Sequence, residues 1–425
     1  MVNESLILQS IRAIASRYAD PEDAIPLIQR ASRTRYVLLG EASHGTSEFY
    51  SHRAELSKRL IEEYGFRFIA VEGDWPSCYA LNRYVKGFGD AGRDAREAMD
   101  DFARWPTWMW ANREVAELAE WLREYNASRA DEYKVGFYGI DVYSLWESMN
   151  EIMGYLEAKP GSDLDAARRA FECFEPFGGD EQRYGISASI YGECCEDEVV
   201  DLLRKLQDKW RGAVPGDRES ALSAEMNAMA VKGAEAYYRT MIRHDAESWN
   251  VRDGHMVAAL EKLMDYHGAG AGAIVWEHNT HIGDARATDM IDDGMVNVGQ
   301  LLREKHGEDV YAVGFGTYEG TVVAARAWGQ PLRVMKVPPA IAGSWEELLH
   351  RAGPDNKLLL FDEADGALAD AFIGHRAIGV VYHPERERGN YVPTRIAKRY
   401  DAFVHIDRTQ ALSPYELVVA MPGDA

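Results

Sequence analysis

The sequence predicts an α/β fold: a mainly parallel β-sheet core flanked by helices and carrying a large helical insertion. Three observations predict it. Short apolar runs such as Tyr36–Leu39 and Phe68–Val71 alternate with helical stretches. Runs that are apolar on both faces belong to parallel strands covered on both sides. The strand pattern then lapses between about Leu145 and His267, and it resumes at Ala273. One sheet domain over residues 1–144 and 268–425, interrupted by a helical insertion or lid at 145–267, accounts for all three.

The elements follow in order. An early helix takes in Leu27 and Ile28, and Tyr36–Leu39 is a short buried strand. Ser47–Tyr64 is a helix, with Ser43, Thr46 and Ser47 as candidate caps. Phe68–Val71 is the next strand, a helix lies around Cys78–Val85, and Val135–Ile140 forms a third strand ending in Asp141. Within the insertion, Glu196–Trp210, Glu219–Ile242 and Val251–Tyr266 have helical periodicity. Further strands are expected at Ala273–Trp276, Val310–Phe315, Thr321–Ala325, Leu332–Val337, Lys357–Phe361 and Ala377–Tyr382. Gly316–Gly320 reads as a hairpin turn between two of them.

Composition narrows the function. The 425 residues are 46% hydrophobic and 27% charged, and 69 acids against 47 bases leave a net charge of −22. That charge repels phosphate backbones and anionic lipid, so neither nucleic acid nor a membrane surface is an expected partner. A small neutral or cationic ligand is. No apolar run approaches the roughly 18 residues of a membrane span. Met1–Ser5 lacks the basic and apolar regions of a signal peptide, so the cytoplasm is the expected compartment. Cys78, Cys173, Cys194 and Cys195 fit no CxxC spacing and are expected as reduced packing residues.

The chemistry gathers at strand ends. Tyr36–Leu39 runs into Gly40-Glu41-Ala42-Ser43-His44-Gly45, Phe68–Val71 into Glu72, and Ala273–Trp276 into Glu277-His278-Asn279-Thr280-His281. Asp141, Asp362 and His383 also follow predicted strands. Ligands of open parallel sheets bind outside the carboxyl ends of the strands. A histidine moves protons near neutral pH, and a carboxylate three residues away can orient it. On the Ser47–Tyr64 helix, Arg53 lies inside the stripe of Phe49, Leu56, Leu60 and Tyr64. An inward guanidinium needs a carboxylate or an anion, and Glu41 and Glu72 are the candidates. His278 and His281 serve as general base, as substrate-orienting groups or as oxyanion donors. A divalent metal on Glu41, His44, Glu72 and His278 is the alternative, although the HExxH helix is missing. Ser43 falls short of the G-x-S-x-G elbow because Glu41 replaces its first glycine. Trp75, Trp108 and Trp110 either wall a ligand pocket or pack the core.

Four motifs stand in this order: Gly40–Gly45, Val71-Glu72-Gly73-Asp74-Trp75, Asn250-Val251-Arg252-Asp253-Gly254-His255-Met256, and Trp276–His281. Their order resembles that of the erythromycin esterase-like family, in a broad branch that includes succinoglycan-biosynthesis-like proteins. The resemblance implies an α/β core with an inserted helical part, and hydrolysis of an ester or lactone by histidine-activated water without a cofactor. It implies His44 as general base, Glu41 and Glu72 as essential acids, Arg53 nine residues after the histidine, and His278 and His281 as the histidine pair. It also brings Arg252 toward the substrate. Glu277 stands where the macrolide-resistance members are expected to carry an uncharged residue. The other readings are a metal-dependent hydrolase on the same groups and a small-molecule-binding homologue without turnover.

Overall fold

The computed structural model describes residues 4–88, 92–159, 164–192, 194–214, 217–242, 245–364 and 366–415. The chain divides into two compact units, one of Met1–Ile69, Arg83–Gly136 and Ala271–Ala425 and the other of Ala70–Asn82 and Phe137–Gly270. The strands are β1 (Ser16–Arg17), β2 (Tyr36–Leu39), β3 (Phe68–Val71), β4 (Gly136–Gly139), β5 (Ala273–Trp276), β6 (Val310–Ala324), β7 (Arg333–Val337), β8 (Lys357–Leu360), β9 (Ile373–Arg376), β10 (Tyr391–Thr394) and β11 (Ala402–Thr409).

In the first unit the strands lie in the order β1-β8-β11-β6-β2-β5, and β7 pairs with the far half of β6. β2 runs parallel to both β5 and β6, and β11 runs parallel to β6. Every residue of β2 and β5 is buried, as two-sided apolar strands require. Register then places the site. Leu39 pairs with Trp276, so Gly40-Glu41 and Glu277-His278 leave neighbouring strands at the same level.

Two expected elements differ. Gly316–Gly320 is not a turn, because β6 is continuous from Val310 to Ala324. Its parallel partner β11 pairs with it from Val313 through Gly320 and supplies the backbone bonds that a turn there would forgo. The reversal comes later, between Ala324 and Arg333. Ala377–Tyr382 is not a regular strand either. The ladder with β10 stops at Arg376. Beyond it Ile378 bridges to Ser43 and Val381 to Ala325.

In the second unit, β4 continues alongside the end of β3. Ile140 N donates to Val71 O at 3.0 Å and Asp141 N to Gly73 O at 3.0 Å. Those bonds set Glu72 and Asp141 side by side. The helices Leu145–Glu157, Leu164–Phe174, Glu181–Tyr191, Glu196–Leu206 and Arg218–Met241 enclose a core that includes Leu145, Met149, Ile152, Leu202 and Val231. The helix Asp245–His267 follows. Cys173 and Cys195 form a disulfide, which corrects the expectation of four reduced cysteines; Cys78 and Cys194 are free. Cys195 is buried in the same core as Phe174 and Tyr184, which brings it to Cys173. No described helix is long and apolar enough to cross a membrane.

Candidate active site

The loop after β2 is held too tightly for side chains at its glycines. A Cβ on Gly40 would lie 2.1 Å from Asn279 Oδ1, and one on Gly45 would lie 1.9 Å from Val323 O. Between them, Glu41 and His44 are both buried. His44 Nδ1 stands 2.8 Å from Glu41 Oε1, and Arg53 Nη2 donates to Glu41 Oε2 at 2.7 Å. A carboxylate only accepts, so His44 Nδ1 carries the hydrogen and Nε2 is its acceptor nitrogen. That is the tautomer a general base needs.

Arg53 is 0% exposed. Its guanidinium lies 4.4 Å from the Tyr50 ring centre and 4.7 Å from that of Trp276. Its Nε and Nη1 have no hydrogen-bond partner among the described residues. Two aromatic faces take that part of the cation in place of acceptors. The arrangement is legible on the helix, where Tyr50 lies one turn before Arg53.

His278 caps the short helix Asn279–Ile282. Its Nδ1 accepts from Thr280 N at 3.3 Å and lies 2.8 Å from Thr280 Oγ1. A backbone N–H only donates, so the neutral His278 ring carries its hydrogen on Nε2. The His44 and His278 rings are 5.0 Å apart. The pair therefore presents opposite tautomers, an acceptor on one ring and a donor on the other. Glu277 and His281 are buried beside His278 in sequence. Asn279 N donates to Glu41 O at 2.9 Å and ties the two loops together.

In the second unit Arg252 organises another buried charge cluster. It donates to Glu72 Oε1 at 2.7 Å, and to Asp141 Oδ1 at 2.8 Å and Oδ2 at 2.6 Å. It also lies 4.9 Å from the Tyr143 ring centre. Burial opposes its charge, but Asp141, Tyr143 and Glu72 outweigh that and hold the guanidinium firmly protonated. Of the two carboxylates expected for Arg53, Glu41 is the observed partner, and Glu72 belongs to Arg252.

A family model for erythromycin esterase matches residues 61–409. The chain belongs to the erythromycin esterase family. Erythromycin esterase type II of Escherichia coli is 23% identical over 384 residues, covering 80% of this chain and 84% of that one. A crystal structure described as a succinoglycan biosynthesis protein is similar with a TM-score of 0.78 at 22% identity, covering 97% of this chain and 99% of the other. An erythromycin esterase variant in its open conformation is similar at a TM-score of 0.68 and 18% identity, over 92% and 95% of the two chains. These likenesses establish the mostly parallel α/β fold of the family. Family membership supports a hydrolase of the esterase type at that level.

The remaining expected residues of this esterase-family chain have other surroundings. Trp75 is buried, donates from Nε1 to Ser223 Oγ at 3.1 Å, and stacks on Tyr138 with ring centres 5.5 Å apart. Trp108 is buried, and Trp110 is buried 6.0 Å from Tyr50. All three are buried. Ser43 Oγ is engaged with Thr46 Oγ1. Asp362 pairs with Arg30 at 2.9 Å, and His383 lies 3.5 Å from Glu385. Among the described residues no three His, Cys, Asp or Glu side chains form a metal-ligand set. The Asp141 and Tyr143 contacts of Arg252 and the bonding of Asn279 were not apparent from the sequence, because each depends on a partner distant in the chain.

Proposed function

We propose that the protein hydrolyses a carboxylic ester or lactone with His44 as general base. The observation that carries this reading is the Glu41–His44–Arg53 array, with Nδ1–Oε1 at 2.8 Å and Nη2–Oε2 at 2.7 Å. His44 Nε2 takes a proton from water as the water oxygen bonds to the carbonyl carbon. Glu41 stabilises the imidazolium that forms, and the 2.7 Å bond from Arg53 holds Glu41 aimed. His278 donates from Nε2 to the carbonyl oxygen as negative charge develops there, with His281 beside it on the same turn. The C–O bond to the leaving alkoxide then breaks, and His44 returns the proton to it. No metal is needed for this step.

The test is turnover of p-nitrophenyl acetate, p-nitrophenyl butyrate and the macrolide lactone erythromycin by the purified protein. The macrolide is included because a relative bears its name, and resistance would follow from that arm alone. A positioned general base contributes about 10²–10⁴ in rate. His44→Ala is therefore expected to lower kcat by at least a hundredfold on any ester that is hydrolysed. Near-normal kcat in that variant overturns the assignment. Binding of all three without hydrolysis favours a non-catalytic homologue.

A further inference from the structure

We propose that Glu346, His375 and Asn279 form a buried positioning relay that holds the His44 and His278 loops in register for the reaction inferred above. Glu346 lies in the helix Trp345–Ala352 and His375 on β9, and they are 0% and 1% exposed. His375 Nδ1 is 2.5 Å from Glu346 Oε1, which also accepts from Arg376 N at 2.9 Å. The carboxylate fixes the hydrogen on Nδ1, so Nε2 accepts. Asn279 Nδ2 faces that nitrogen at 3.3 Å.

Asn279 is a junction. Its Nδ2 also donates to Phe315 O at 2.6 Å, and its Oδ1 accepts from Phe315 N at 3.3 Å, so its amide is locked to β6. Its backbone N donates to Glu41 O at 2.9 Å, and its carbonyl accepts from Arg399 Nη2 at 2.9 Å. It immediately follows His278. Two residues beyond Arg376, Ile378 N donates at 2.8 Å to the carbonyl of Ala42, which lies between Glu41 and His44 in the loop. The segment that carries His375 thus grips both loops, one through Asn279 and the other through Ala42. The rings of Tyr400 and Phe403 stand 5.9 and 5.3 Å from His375 and limit its rotation.

A buried ionisable pair contributes little net stability compared with apolar residues of the same volume. What this one supplies is direction. A ring with its hydrogen on Nε2 would turn a donor toward the Asn279 amide and push it away. Misplacing a reacting group by about 1 Å can cost about a hundredfold in rate.

The experiment replaces His375 by Phe, which fills the space without accepting, and by Gln, whose amide can accept from Asn279 and donate to Glu346. Glu346→Gln is the second variant. For whichever of the three esters the parent hydrolyses, His375→Phe is expected to lower kcat about 10–100-fold with KM within about twofold. His375→Gln should recover part of the loss. In parallel, ring ¹⁵N spectra of the full-length protein report the tautomers of His44 and His278. His375→Phe should make both rings average between tautomers. If His375→Phe does not fold, Glu346→Gln takes its place with the same expected readouts. Unchanged kcat together with unchanged ring spectra overturns the relay. If the parent hydrolyses no ester, the esterase reading fails, and the ring spectra alone decide the relay.

Discussion

Arg53→Met offers the sharpest probe of the catalytic loop. The substitution keeps an unbranched side chain under Tyr50 and Trp276 and removes the cation. Arg53 is 0% exposed and Glu41 1%, so no water enters to solvate the abandoned carboxylate. Removing one partner of a buried pair costs about 3–5 kcal/mol. The cation–π attraction to the two rings, which disappears with the guanidinium, is worth about 0.5–2 kcal/mol and belongs within that range. In a unit of this size each kcal/mol lowers the melting point by roughly 2–4 °C, so a fall of roughly 6 °C or more is expected. Urea unfolding followed by tryptophan fluorescence measures it directly, because Trp276 lies under the guanidinium. The midpoint should drop with little change in slope. The double variant Glu41→Gln, Arg53→Met removes the stranded charge and should recover much of the loss. If Arg53→Met alone unfolds within about 1 kcal/mol of the parent, the buried-pair argument is wrong.

Other expected outcomes follow from separate features. Gly40→Ala puts a Cβ against Asn279 Oδ1, so it should cost about 1–3 kcal/mol and lower kcat, both read on the same purified variant. Burial holds His255 down at about 4, and holds His375 and His405 below the usual imidazole range. Each is neutral when folded and gains a proton near pH 6.5 when unfolded, so stability should fall as pH drops from 6.5 toward 4, by up to about 1.4 kcal/mol per pH unit per group. Urea midpoints at pH 7.5, 6 and 5 check the sign, and a flat profile contradicts it. The Cys173–Cys195 bridge spans a separation of 22 residues, and Cys173→Ser should cost about 3 kcal/mol in the helical unit, seen as an earlier urea transition. Dialysis against EDTA should leave ester turnover unchanged, and loss restored by a divalent cation would reverse the proposed use of water and His44 alone.

The strands β2 and β5 that carry the His44 and His278 loops were legible because they are apolar on both faces and end abruptly in ionisable residues. Arg53 was legible because a charge inside an apolar stripe requires a partner, and Glu41 is that partner. The rest required the third dimension. Gly316–Gly320 has turn composition, but β11, about ninety residues downstream, holds it extended. Cys173 and Cys195 have no diagnostic spacing, and only the packing of Phe174 and Tyr184 unites them. Neither Glu346 nor His375 is singled out by the sequence. Their significance comes from Asn279, which the sequence alone presents as a spacer between two histidines. Trp75 has the composition of a ligand wall, yet its indole N–H reaches Ser223 inside the second unit.

The length of β6 bears on how such a protein can diversify. β2 leaves it at Val313, whereas β6 runs on to Ala324 with β11 on one flank and β7 on the other. Its far half meets the His44 loop through Val323 N and Gly45 O, 3.0 Å apart. The base of the strand is clamped in the parallel sheet, so insertions or exchanges at the tip between Ala324 and Arg333 are insulated from the register that sets Glu41 beside Glu277. A change at that tip is therefore expected to leave the β2–β5 register in place.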